Sequence, residues 1–225
     1  MKILKIAFFA VISSALMVLP STAKEVRIGV AVAYTAANVD GSETLKSSGK
    51  VTKHKHGSEV ATIASAFAEI AMDNGFGLGI EQVSGTAELG KQSRTQTLAA
   101  DAGNDAGTNT AKAEIDGLTS VYLIKTFQSG IFVKGGMTST TVNTKENLDT
   151  GSIYKNADVD GTLFGIGLHK ATDSGFFYRV SGEFTDYDTI NLTSTTAADA
   201  TTTTLNKVKA DIDTMAFKVS VGKAF

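Results

Sequence analysis

Apolar and small or polar side chains change places with a period of two along most of this chain. In "EVRIGVAVAY" Val26, Ile28, Val30, Val32 and Tyr34 share one parity, and Arg27, Gly29, Ala31 and Ala33 share the other. In "MAFKVSVGKAF" Met215, Phe217, Val219, Val221 and Phe225 alternate with Ala216, Lys218, Ser220, Gly222 and Ala224, and only Lys223 interrupts them. Successive side chains of an extended strand point to opposite sides, so each run is a strand with one apolar face. The 22 glycines, single proline and absent tryptophan among 225 residues suit many strands better than long helices.

Residues 1–23 read differently. Lys2 and Lys5 precede an apolar stretch from Ile6 to Leu19, followed by Pro20 and the small residues Ser21 and Ala23. That is the three-part layout of a signal peptide, with cleavage expected after Ala23 and a barrel domain over 24–225. Its removal leaves 19 basic against 23 acidic side chains, net −4, a balance that points away from nucleic acid. An exported chain without cysteine has no disulfides and no thiolate metal site. After residue 23 no apolar run is long enough for a membrane helix, so entry into a membrane requires a closed barrel of strands.

The alternation predicts eight strands, near 25–34, 59–72, 76–83, 115–126, 131–140, 158–169, 176–187 and 208–225. Connections alternate between long polar ones, near 35–58, 84–114, 141–157 and 188–207, and short ones, near 73–75, 127–130 and 170–175. The segments "NGFGLGIE", "SGIFVKGG" and "SGFFYRVSGE" repeat one hairpin corner. Phe76, Ile131 and Phe176 then hold equivalent places, and Gly79, Lys134 and Arg179 share a level on the other face. Even strand number with long and short connections at opposite ends is the plan of an all-β, eight-stranded, antiparallel up-and-down transmembrane barrel.

The chain resembles the eight-stranded outer-membrane barrels of Gram-negative bacteria, a group that includes the opacity-porin type. In that family the last strand ends on phenylalanine after apolar residues at alternate positions, and the assembly machinery reads it. The resemblance implies that Phe217, Val219, Val221 and Phe225 are that assembly signal, with Lys223 departing from the pattern. It further implies outer-membrane lipid, lipopolysaccharide and the barrel assembly machinery as partners, and an outer-membrane location.

Alternation alone does not say which face looks inward. Small residues mixed with opposite charges fit a narrow lumen, so Arg27, Glu69, Glu81, Lys134, Arg179, Glu183 and Lys218 are expected to form the lumen charges. The reverse facing would put Lys134, Arg179 and Lys218 into lipid, at about 2–4 kcal/mol each near mid-bilayer. In the second strand Glu69 inward also turns Phe67 inward and leaves mainly alanines outside. In the fourth, Lys125 inward puts Tyr122 and Ile124 on the lipid side.

Other motifs carry less. His54 and His56 form a His-x-His in the first long connection, but flanking lysines repel a cation and no third ligand is identifiable, so a metal site is not expected. Lys53, His54, Lys55 and His56 could instead meet lipopolysaccharide phosphates as point charges. "NADVDG" opens like a calcium loop, yet its twelfth position is Gly167 and its continuation reads as strand. His169 faces inward at the short-turn end, away from any lipid substrate in the outer leaflet, and Gly77-x-Gly79 and Gly165-x-Gly167 open no helix. Neither an enzyme nor a cofactor is expected. The expectation is a passive porin-like or structural barrel with a narrow charged lumen. A surface-adhesion module anchored by the barrel and a soluble periplasmic carrier of lipocalin type stay open.

Overall fold

The computed structural model describes residues 23–44, 51–55, 59–96, 107–147, 153–195 and 205–225. Residues 1–22, which hold nearly all of the expected signal peptide, and His56 lie outside them. The described residues form eleven strands: β1 (Ala23–Thr44), β2 (Val51–Lys55), β3 (Glu59–Met72), β4 (Phe76–Ser84), β5 (Thr86–Gln96), β6 (Gly107–Thr126), β7 (Ile131–Asn147), β8 (Ala157–Ala171), β9 (Phe176–Tyr187), β10 (Ile190–Thr193) and β11 (Lys207–Ala224). Eight of them, β1, β3, β4, β6, β7, β8, β9 and β11, pair in that order, all antiparallel. The wall closes where β1 meets β11.

Stepping from partner to partner around the wall leaves β1 at Ile28, passes Ala68, Ile80, Val121, Met137, Thr162, Asp186 and Asp213, and returns to β1 at Asn38. That stagger of ten residues tilts the strands by about 40° from the barrel axis and leaves an interior just wide enough for side chains.

The repeated corner is one structure used three times. Gly75, Gly130 and Gly175 have φ of 80°, 84° and 84°, a region that costs glycine little. The amide of each bonds back three residues, to the carbonyls of Met72, Phe127 and Thr172. The carbonyl of each accepts from the end of another wall strand, at Thr126, His169 and Ala224. The three short turns are thus stitched into one rim.

Two expectations are corrected. First, much of the long connections is strand. β1 and β7 run on to Thr44 and Asn147, β6 begins at Gly107, and β2, β5 and β10 add hairpin arms paired to β1, β6 and β11. By sequence these segments are mostly Thr, Ser, Asn, Gly and charged residues. The apolar side chains they do carry, such as Val39, Ile115, Val142 and Ile190, pack together inside, so the outward apolar parity that marks a membrane strand is missing although the ladder continues. Second, Tyr122 and Ile124 face inward, 3% and 2% exposed, while Leu123 between them is 60% exposed. The reason is a bulge in β6, where Gly117 has a φ of 65° and the register against β7 slips between Asp116 and Thr119. One extra residue there exchanges the two faces. Lys125 accordingly lies outside, its ammonium 4.4 Å from the centre of the Phe76 ring and bonded to the Asn74 carbonyl at the rim.

In β3, the second strand of the wall, Glu69 and Phe67 are inward and Ala64, Ala66 and Ala68 outward. Elsewhere the outer wall carries Val30, Val32, Leu123, Phe164, Ile166, Phe217 and Val219, all substantially exposed.

Candidate functional site

The chemistry of this chain is concentrated inside the barrel, in three tiers. The lowest is built on Glu69 of β3 and Arg179 of β9. The Arg179 Nη1 and Nη2 donate to the two Glu69 carboxylate oxygens at 2.5 and 2.6 Å, a bidentate pair, and the carboxylate also accepts from the Tyr122 hydroxyl at 2.8 Å. The Arg179 Nε donates to Nδ1 of His169 at 2.9 Å. The guanidinium lies 4.9 Å from the ring centre of Phe177 and 5.6 Å from those of Phe67 and Phe132. Glu69 is 1% exposed and Arg179 5%. Arg27, although the register partner of Glu69, pairs instead with Glu25 on its own strand, at 3.2 Å.

The middle tier is a ring of four charges from four strands: Glu81 (β4), Lys134 (β7), Glu183 (β9) and Lys218 (β11). Each ammonium touches both carboxylates. Lys134 reaches Glu183 at 2.5 Å and Glu81 at 3.4 Å; Lys218 reaches Glu183 at 2.6 Å and Glu81 at 2.7 Å. Ser65 donates to Glu81 at 2.7 Å, and the Lys134 ammonium lies 4.5 Å from the ring centre of Tyr122. Because β4 and β9 stand on opposite sides of the wall, the ring straps the lumen across its width. Its two positive and two negative charges cancel, as they do in the tier below.

Above the ring is a cavity of about 140 Å³, and above that an apolar cluster of Ala37, Val142, Val159, Tyr187, Ile190 and Ile212.

What lets large rings fit inside so narrow a barrel is a set of glycines. Phe67, Tyr122, Phe132, Phe177 and Tyr187 stand directly opposite Gly29, Gly79, Gly167, Gly222 and Gly161 on neighbouring strands. A Cβ on Gly79 would sit 2.5 Å from Cζ of Tyr122, and one on Gly167 would sit 2.7 Å from Cζ of Phe132. Each ring therefore lies flat over the bare backbone of its partner. Sequence reasoning put Tyr122 on the lipid side and did not single out Phe132 or Phe177. The signal is a glycine paired with an aromatic across a ladder, which becomes visible only once register is known.

The remaining candidates are scattered. Phe217, Val219, Val221 and Phe225 face outward, Phe225 at 70% exposure, with the Lys223 ammonium 5.3 Å from the Phe225 ring centre. His54 falls in β2, far along the chain's fold from His169 at the rim. Asp158 and Asp160 lie in β8, where Asp158 accepts from the Thr141 hydroxyl at 2.8 Å. Among the described residues no three His, Cys, Asp or Glu side chains converge as a metal site.

No family model matches this sequence, and no curated protein matches it. Among solved structures the chain is similar to the outer membrane protein OprG from Pseudomonas aeruginosa, at 12% identity and a TM-score of 0.54 over 91% of this chain and 97% of that one. At that identity the likeness establishes the fold alone. The outer membrane protein AlkL, at 9% identity and a TM-score of 0.49 over 89% and 90%, and the Escherichia coli outer membrane protease OmpT, at 8% and 0.47 over 91% and 98%, are more distant.

Proposed function

We propose that this protein is an integral outer-membrane barrel whose lumen is closed, so that it serves as a passive structural anchor for the hairpin arms it holds outside. The three short turns then face the periplasm. The observation that carries this reading is the charged ring, in which Glu81, Lys134, Glu183 and Lys218 bridge the lumen over a second, fully paired layer at Glu69 and Arg179. A hydrated pore leaves its charges in contact with water, whereas these side chains are at most 11% exposed and spend their charge on each other. The outer face supports the membrane part of the reading, since burying its valines, leucines and phenylalanines in hydrocarbon recovers about 25 cal/mol for each Å² removed from water. The same two facts weigh against a lipocalin-type carrier, which would reverse them.

Single-protein insertion into planar bilayers tests the closed lumen. The expected result is insertion without steps beyond those of small ions; openings that pass sugars would overturn it. The adhesion reading draws support from the hairpin arms β2, β5 and β10, which build a crown above the wall. Trimming residues 86–112 while the barrel still inserts would separate anchor from attachment.

A further inference from the structure

Among the described residues the wall has one seam. Pairing between β3 and β4 stops at Ala64 and Ser84, and the chain then turns at Gly85, with a φ of 91°, into β5, which pairs with β6. β3 nevertheless continues upward to Glu59, held by β1 on its other side. Among the described residues, the edge of β3 over residues 59–63 has no ladder partner on the β4 and β5 side. Thr62 in this stretch is the register partner of Tyr34, the uppermost large apolar side chain on the outside of β1, so the seam begins where the apolar band ends. An open strand edge is tolerated at that depth only if it lines a cavity or meets water.

It lines a cavity. The 140 Å³ space above the charged ring is bordered by Ala61, Thr62, Ile63 and Ala64 of β3 and by Gly85, Thr86 and Glu88 across the seam, so the space reaches the unpaired edge. Its inner walls include Leu163, and its floor is the ring itself, reached at Glu81, Glu183 and Lys218. We propose that this cavity is a binding site for a compact, neutral amphiphile of about the size of phenol, admitted sideways through the seam between β3 and β5. Size sets one limit, because an apolar cavity of about 150 Å³ takes up benzene. Charge sets the other. Lys218 already holds both floor carboxylates, and Glu59 and Glu88 add negative charge to the lining, so an incoming anion would lose its hydration without gaining a counter-charge, whereas a neutral hydroxyl finds donors and acceptors on the same floor.

The test uses the whole protein refolded in detergent micelles, with phenol, benzoate and 2-naphthol as probes and methyl NMR signals as the readout. Phenol is expected to shift the Ile63 and Leu163 methyls saturably while benzoate leaves them unmoved. Ala61→Phe, which fills the space, should weaken phenol binding at least tenfold in protein that still shows the folded gel mobility. Leu163→Ala, which enlarges it, should admit 2-naphthol that the native chain rejects, and this variant decides the matter if the first does not fold. Equal shifts with benzoate, a non-saturating response shared by outward Leu168, or unchanged binding in both variants would overturn the proposal.

Discussion

Replacing Glu69 by methionine keeps the volume of the side chain and removes one charge from the least exposed ion pair in the barrel. The Arg179 guanidinium would be left 5% exposed, its Nη1 and Nη2 without acceptors, and the Tyr122 hydroxyl would lose its 2.8 Å bond. Breaking a buried pair from one side costs about 3–5 kcal/mol, because the surviving charge stays desolvated. The three aromatic rings around the guanidinium return part of that, at about 0.5–2 kcal/mol for a well-placed cation over a ring. We therefore expect Glu69→Met to lower stability by about 3 kcal/mol. The double variant Glu69→Met with Arg179→Met should recover most of the loss, since an apolar pair of similar volume replaces a buried ion pair at little net cost. The chain has no tryptophan, so guanidinium unfolding in vesicles is best followed by the β-sheet circular dichroism signal and by gel mobility. If Glu69→Met costs less than about 1 kcal/mol, a value typical of exposed pairs, water is hydrating Arg179 and the closed lumen is refuted.

Four further outcomes follow from the same geometry. Gly79→Ala pushes a methyl into the Tyr122 ring and should cost about 1–3 kcal/mol by overpacking. Gly182→Ala, whose added Cβ meets nothing within 4 Å, should be silent in the same unfolding assay. Val219→Arg puts a charge on the lipid face of β11 and should lower stability by about 2–4 kcal/mol, whereas Val→Arg changes nearer the rim should approach zero; equal costs at both depths in a vesicle refolding titration would contradict the assigned band. Replacing Lys134 and Lys218 together by methionine leaves Glu81 and Glu183 facing each other without counter-ions, and in planar bilayers it should either block folding or open a cation-selective leak absent from the native chain.

How far the chain could be read from its letters differed from strand to strand. Strands β1, β4, β7, β9 and β11 keep one parity through the membrane, and there every second residue announces its side. The charges Glu81, Lys134, Glu183 and Lys218 were legible as inward because a lysine in mid-lipid is too costly to allow the other facing. That Arg27 turns to Glu25 rather than to its register partner Glu69 was not legible, since the choice depends on Arg179 arriving from the far wall.

The fourth wall strand misled for a definable reason. A lysine is a strong marker of facing only at depth, and Lys125 sits at the rim, where it bends to the Asn74 carbonyl at little cost. The bulge at Gly117 then hides the change of parity between Ile115 and Ser120. The hairpin arms escaped notice because strands outside lipid need no apolar face, and their hydrogen-bonded partners lie elsewhere in the sequence.

Local alternation by itself determined that the chain forms strands, how many cross the wall, and which side of most of them is apolar, because side-chain direction along a strand depends only on parity. The tertiary structure alone decided which charges meet, where aromatic rings find a glycine to lie against, and where β3 is left unpaired, because each depends on the ten-residue stagger that brings distant strands to one level.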